Sequence, residues 1–386
     1  MRPIRRGDHG PAVREIRDIL DALHLLRADG GDPALFDDAT ERAVRAFQQS
    51  RGLTADGRVG PETWRALSAA RWRLGARTLY QAVSEPLVGD DVRELQERLL
   101  EMGYDVGRAD GVYGARTARA VAMFQREMGL SSDGSCGPHT LHALRRLGRK
   151  VVGGRPQFLR ESERLRRSGT TLVGKTIVID PGHGGPDPGV VMPDGPLHWT
   201  EADLAYDLAA RLEGRLAAVG MRVHLTRGPA PVAELSDPDR ALLANQLDAD
   251  LLISLHVDGH ANTAADGVAT YHYGTASGVT STVGERLANL VQREIVVRTG
   301  LRDCRTHAKT WEILRLTRMP AVRVEVGYLT SPVDRARLID PLFRDRVVEA
   351  IVAAVQRMYY PVEQDVETGS IDVSAIRGMV ASAMPE

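Results

Sequence analysis

The first 147 residues repeat themselves. Val13-Arg14-Glu15-Ile16 recurs as Val92-Arg93-Glu94-Leu95, and Thr40, Val44, Phe47 and Gln48 recur as Thr117, Val121, Phe124 and Gln125. Gly52-Leu53, Asp56-Gly57, Gly60-Pro61 and Thr63 return as Gly129-Leu130, Asp133-Gly134, Gly137-Pro138 and Thr140. The first copy carries a two-residue insertion near Gly30-Gly31-Asp32. Self-similarity of this kind means one small structural unit used twice. Apolar residues at helical spacing predict three helices in each copy. The first covers 11–26 and 90–102, the second 38–50 and 115–128, and the third follows Gly-Pro-x-Thr, where proline suits a first helical turn. The Asp-Gly pairs read as turns that need a left-handed backbone. The copies are placed at 1–70 and 89–147, with 71–88 as a linker that Trp72 and Tyr80 mark as packed rather than free.

A chain of 386 residues is too long for one ordinary core, so two or three domains are expected. Charged residues make up 26% and hydrophobic residues 43%, a globular balance. A net charge of -1 gives no electrostatic case for nucleic acid. Cys136 and Cys304 stand alone in separate regions, so neither a disulfide framework nor a Cys-x-x-Cys zinc spacing exists, and both are expected to be buried thiols. The basic start MRPIRRGDHG is not followed by the apolar stretch of a signal peptide. No stretch has the length of a membrane span. The expectation from these features is a cytoplasmic protein.

The AVxxFQxxxGLxxDGxxG pattern, opened by Ala43-Val44-Arg45-Ala46-Phe47-Gln48 and by Ala120-Val121-Ala122-Met123-Phe124-Gln125, resembles the type 1 peptidoglycan-binding domain. That resemblance covers both copies almost entirely. It implies small three-helix modules that bind glycan or stem peptide.

From Lys175 the pattern changes. Short apolar strands are predicted at 177–180, 222–226, 251–255, 268–273 and 321–326, and helices at 201–218, 239–247, 281–299 and 345–359. Alternation of this kind argues an α/β domain over 174–360 with a largely parallel sheet. The Arg-rich stretch 148–173 reads as a charged helix or hinge and linker.

Ile177 to Gly189 reads IVIDPGHGGPDPG: a buried strand that stops at Asp180-Pro181-Gly182 and presents His183 on a tight loop. His256 follows a second strand and Glu325 lies in a third. Ligands in such sheets sit beyond the carboxyl ends of the strands, so these residues converge. Glu201 opens a helix capped by Thr200, where the helix dipole favours a carboxylate. Two histidines and one carboxylate leave one position of a zinc ion open for water, the catalytic pattern. A further carboxylate that is not a ligand can take a proton and pass it to a leaving amine, and Glu325 is placed in that role. His260 and His198 are weaker candidate ligands.

Residues 174–360 resemble the zinc-dependent N-acetylmuramoyl-L-alanine amidases of the amidase type 3 family. The resemblance rests on IVIDPGHGGPDPG, Glu201 at its helix start, VHLTR at 223–227, Arg240 with Asn245, ADLLISLH ending at His256, and MPAVRVEVGYLTSP around Glu325. It implies Zn2+ held by His183, Glu201 and His256, Glu325 as catalytic acid/base, a twisted sheet flanked by helices, and cleavage of the amide between the muramic acid lactyl group and L-alanine. The sequence departs from the family at Asp258 and Ser331, where asparagine is usual, and at Arg323, where the strand is usually apolar. Arg323 shares a strand face with Glu325; a cation there is expected to lower its pKa. The tail, 361–386, is acidic at first and then amphipathic, with Thr368 as the candidate phosphosite. The whole layout is similar to a group of actinobacterial amidase homologues. That resemblance implies a cytoplasmic protein phosphorylated by a Ser/Thr kinase, regulation of the precursor enzyme MurA, and contact with the lipid II flippase MurJ.

Overall fold

The computed structural model describes the chain except residues 1, 27–30, 83, 147–162, 164, 166, 195–196, 231–232, 276–279 and 361–386, with side chains also set aside over 193–198. The Arg-rich stretch lies mostly, and the tail wholly, outside the described residues.

Each repeat forms three helices. In the first they are α1 (Pro11–Ala22), α2 (Asp38–Arg51) and α3 (Pro61–Ala70); in the second, α4 (Asp90–Glu101), α5 (Ala115–Glu127) and α6 (Pro138–Arg146). Pro61 stands in the first turn of α3, where its missing N–H leaves nothing unsatisfied. Ile16, Val44, Phe47 and Leu67 fill the first core, and Leu95, Val121, Phe124 and Leu144 the second.

The repeated polar residues have structural work. Buried Gln48 donates to Asp56, to the Arg58 carbonyl and to Thr63, and accepts from the Gly57 amide. Gln125 makes the same four bonds to Asp133, Ser135, Thr140 and Gly134. Gln96 makes them a third time, to Asp110, Val112, Thr117 and Gly111. In the first module Arg17 holds the corresponding corner, donating to Leu35, Asp37 and Thr40. Thus the Asp-Gly signature is a loop pinned by one buried side chain. Between the modules Leu79 is buried and bridges Cys136, whereas Tyr80 is half exposed. Trp72 lies under the guanidinium groups of Arg77 and Arg71.

The second half is an α/β unit. Its strands are β1 (Thr176–Pro181), β2 (Val191–Asp194), β3 (Leu197–Thr200), β4 (Arg222–Leu225), β5 (Leu251–Asp258), β6 (Val268–Tyr273), β7 (Asp303–Lys309) and β8 (Ala321–Tyr328). Its helices are α7 (Glu201–Ala218), α8 (Asp237–Gln246), α9 (Thr282–Thr299), α10 (Glu312–Leu316), α11 (Pro332–Leu338) and α12 (Pro341–Tyr359). The main sheet runs β4-β1-β5-β8-β6-β7, while β2 and β3 form a separate hairpin. All neighbours in the main sheet are parallel except β6 and β8. The sheet is therefore largely parallel, as its alternating sequence requires. The strand β7 was not foreseen: DCRTHAK has no apolar alternation because it is an exposed edge. Cys304 sits on that edge half-buried, correcting the expectation of a buried thiol; Cys136 is buried.

One face of the sheet packs on α7, α9 and α12 through Ile177, Ile253, Val322 and Val324. The opposite face has a different cover. Val178, Leu252 and Ala321 share one continuous core with Ala241 and Ala244 of α8, Trp311, Ile313 and Leu314, and also with Ile16, Phe47 and Leu67 of the first module. The first module therefore completes the core of the α/β unit. Polar contacts tie the parts: Arg65 pairs with Glu312 at 2.7 Å, Arg51 with Asp90 at 2.6 Å, and Arg108 donates to the carbonyls of Leu314, Thr317 and Met319. Arg315 donates back to the Asp110 carbonyl.

Glu62 of α3 lies in this junction with Oε1 closed off and without a partner. Burial, with Asp237 adding to it, pushes its pKa up from 4.5 to about 7, although Arg323 opposes the shift. A carboxyl raised on folding favours the folded state below its unfolded value and loses that contribution as pH rises through the folded one. Stability at this junction should thus fall between pH 4.5 and about 7, by at most about 3 kcal/mol. Glu62→Gln is expected to raise the melting temperature at pH 8 and leave it nearly unchanged at pH 4.5; an equal change at both would contradict this.

Candidate metal and catalytic site

The loop after β1 is held from below by buried charge. Asp180 accepts from Arg240, Thr226 and Ser254, each at 2.6 Å. Burial would raise its pKa, but Arg240 and the hydroxyl donors outweigh that and hold it below the usual carboxylate range. Arg240 continues to the carbonyls of Pro181 and His183, both at 2.8 Å. Arg227 donates to the carbonyls of Pro181, Gly182 and Ala202. The loop is thereby fixed with His183 in a left-handed conformation, φ 55°. Gly182 is required by space: a Cβ there would lie 2.1 Å from the His256 ring.

His183, Glu201 and His256 do converge. Glu201 Oε1 lies 3.0 Å from His183 Nε2 and 2.9 Å from His256 Nδ1, and one ligand atom from each residue falls within 4.8 Å of the others. The Thr200 hydroxyl caps α7 by accepting from the Asp203 amide. Asp187 Oδ2 sits 2.6 Å from His183 Nδ1. Asp187 holds Nδ1 and so turns Nε2 inward toward Glu201, the usual outer support of a metal-binding histidine. Burial would raise Glu201, but the hydrogen bonds from both histidines hold its pKa well below the ordinary range. His183 goes up to about 9: Glu201 and Asp187 outweigh burial. His256 goes down to about 4 through burial and Arg323. Inward-facing nitrogens around an ionised carboxylate, with an outer carboxylate on one ring, are a donor set that fits zinc.

Glu325 stands directly across from His256 in the β5–β8 register and is 5% exposed. Its Oε1 accepts from Arg323 Nε at 2.8 Å and Nη2 at 2.7 Å, while Oε2 is buried without a partner. The Arg323 guanidinium lies 4.5 Å from the centre of the Trp311 ring. Arg323 is therefore where the strand period placed it, but the expected lowering of Glu325 is reversed. Burial is the largest influence and pushes Glu325 up to about 7, with Glu201 and Asp258 adding to it against Arg323. Strand spacing gives the pair; it cannot give the dryness around it.

The other sequence-marked residues fall outside the cluster or at its edge. Asp258 is half-buried, accepts from the Gly259 amide at 2.7 Å, and is raised by burial. Ser331 caps α11. His260 is exposed and its ring accepts from the Asn262 amide. The His198 side chain and Thr368 lie outside the described residues. Sequence reasoning did not assign roles to Asp187, Asp180, Arg240 or Trp311. Asp187, four residues after His183 in the same loop, was the one with a readable signal.

The N-acetylmuramoyl-L-alanine amidase family matches residues 177–357, and the peptidoglycan binding domain family matches residues 9–67 and 88–144. The N-acetylmuramoyl-L-alanine amidase CwlM of Mycobacterium tuberculosis is 50% identical over 377 residues, covering 95% of this chain and 92% of that protein. This chain belongs to the N-acetylmuramoyl-L-alanine amidase family. The amidase LytC of Bacillus subtilis is 30% identical over 180 residues, 47% of this chain and 34% of LytC. Among solved structures, an N-acetylmuramoyl-L-alanine amidase from Clostridium difficile 630 is 33% identical over 48% of this chain and 96% of its own, with a TM-score of 0.43. In this amidase-family chain the matched segment contains His183, Glu201, His256 and Glu325. No helix among the described residues is long and apolar enough to cross a membrane.

Proposed function

We propose that this amidase-family chain binds zinc through His183, Glu201 and His256 and cleaves the amide between the muramic acid lactyl group and the L-alanine of the stem peptide. The observation that carries this reading is the convergence of those three side chains beside the buried carboxyl of Glu325. Zinc, when bound, would supply an acidified water and polarise the scissile carbonyl. The chain's own residues prepare the rest. Asp187 orients His183, and Arg240 and Arg227 fix the loop that carries it. Arg323 occupies Glu325 Oε1, so Oε2 is the oxygen left to take a proton and return it to the leaving amine. A pKa of about 7 suits a group that must do both near neutrality. The two peptidoglycan-binding modules would hold the polymer or its precursors.

The hold of two Arg323 nitrogens on one oxygen of Glu325 favours a second reading. Here the chain is a cytoplasmic regulator of precursor synthesis with weak or no hydrolysis, acting on MurA, in contact with MurJ, and controlled by a Ser/Thr kinase through Thr368. One assay separates the two readings: release of free stem peptide from purified muropeptides and lipid-linked precursors by zinc-loaded protein, beside Glu325→Ala. Release that the substitution removes supports hydrolysis. Equal, negligible release from both proteins with zinc bound would sink the hydrolase and leave the regulator.

A further inference from the structure

Away from the zinc ligands, a shallow groove runs along α9 to the edge strand β7. Its two stretches enclose about 350 and 560 Å³ and share Asn289 and Arg293. Arg286 lines the first stretch, and Gln292, Asp303 and Arg305 line the second. Most arginines nearby have carboxylate partners: Arg298 and Arg357 pair with Glu294, and Arg302 with Asp266. Arg293 and Arg305 are exposed, and no carboxylate pairs with them or with Arg286 among the described residues. The acidic groups in the groove are Glu285 and Asp303, and Asp303 is already taken by Gln292 at 2.7 Å and the Arg305 amide at 2.8 Å. Gln292 Oε1 is buried and lacks a donor. The strand β7 is paired only with β6 among the described residues, so its outer edge offers backbone groups to an extended segment.

The chain itself supplies a matching segment. The helix α12 ends at Tyr359, and Arg286 donates to the Tyr360 carbonyl at 3.4 Å, so residues 361–386 begin at the mouth of this groove. They open Pro-Val-Glu-Gln-Asp-Val-Glu, with Glu363, Asp365 and Glu367 at alternate positions and no basic residue before Arg377. Alternate residues of an extended chain share one face, and these three carboxylates would span about 13 Å. Arg286 and Arg293, seven residues apart on α9, lie about 10 Å apart along the helix axis.

We propose that the acidic start of this chain's own C-terminal segment, residues 361–368, occupies the α9–β7 groove, with Glu363, Asp365 and Glu367 facing Arg286, Arg293 and Arg305. The contact is electrostatic and tethered at Tyr360, so it is strong at low salt and weak at high salt.

The test is amide hydrogen exchange over 303–309 in the full chain. The combined Glu363→Arg, Asp365→Arg and Glu367→Arg variant is expected to exchange faster there by roughly tenfold, the size that a few exposed ion pairs can give. The groove variant Arg286→Glu, Arg293→Glu and Arg305→Glu is expected to do the same, and joining the two sets should restore protection. As a second readout, Asn289→Cys with Asp365→Cys should form an intramolecular disulfide in the full chain. Unchanged exchange in the tail variant, together with no cross-link, overturns the proposal. Protection that survives tail reversal but grows with protein concentration overturns it in favour of a second copy of this chain.

Discussion

Arg240→Leu is expected to destabilise the protein by about 3–5 kcal/mol, because it leaves a buried carboxylate without its cation. The Arg240–Asp180 pair is 2.6 Å long, with side chains 4% and 1% exposed. Asp180 would keep Thr226 and Ser254 but lose the charge that keeps it ionised in a dry site. The His183 carbonyl would lose its donor at the same time, and the Pro181 carbonyl would keep only Arg227. Denaturant unfolding should show a lower midpoint, and affinity for zinc at the proposed site should fall because the His183 carbonyl is no longer held. Adding Asp180→Leu to Arg240→Leu should recover much of the stability, since apolar replacement of a whole buried pair costs little. It should not recover affinity for a metal at the proposed site, because the His183 carbonyl remains without its donor. If the double variant is no more stable than Arg240→Leu, the charge argument is wrong.

Trp311→Ala should also cost about 3–5 kcal/mol, the usual range for truncating a buried tryptophan. Trp311 is 7% exposed, packs in the core shared by the sheet and the first module, and lies beneath both Arg323 and Tyr271. Its loss should therefore loosen the first module and Arg323 together. Trp311→Phe keeps a ring beneath the guanidinium and should retain most of the stability. The check is exchange in α2 and α3 measured beside that in β8. Both should rise in the alanine variant; a rise in β8 alone would mean that the module is not held through this core.

Much of this was legible in the chain, and the reasons are local. The repeat was readable because the Gln-to-Asp-Gly loop demands the same residues in both copies, as Gln48 and Gln125 show. The convergence of His183, Glu201 and His256 was readable because His183 follows one apolar strand, His256 lies near the end of another, and Glu201 follows a helix cap. Polar edges were not readable: β7 and the β2–β3 hairpin carry no apolar period. Nor was the state of Glu325. Its partner Arg323 is two residues away in sequence, but its burial depends on elements brought in from β5 and the 309–320 segment. The shared core escaped notice for a related reason. Leu67 and Met319 are ordinary apolar residues in their own segments, and only the fold makes them neighbours in one cluster.

That cluster has a consequence for how such a chain can change over time. A module hung on a loose linker can be exchanged, duplicated or lost without disturbing its neighbour. Here a volume change in α1 or α3 must be absorbed on β5 and β8, and Arg108 of the second module requires the 314–319 backbone to keep its course. The two halves are therefore bound to drift together. Transplanting the first module from a distant relative should fail unless the residues around Trp311 travel with it.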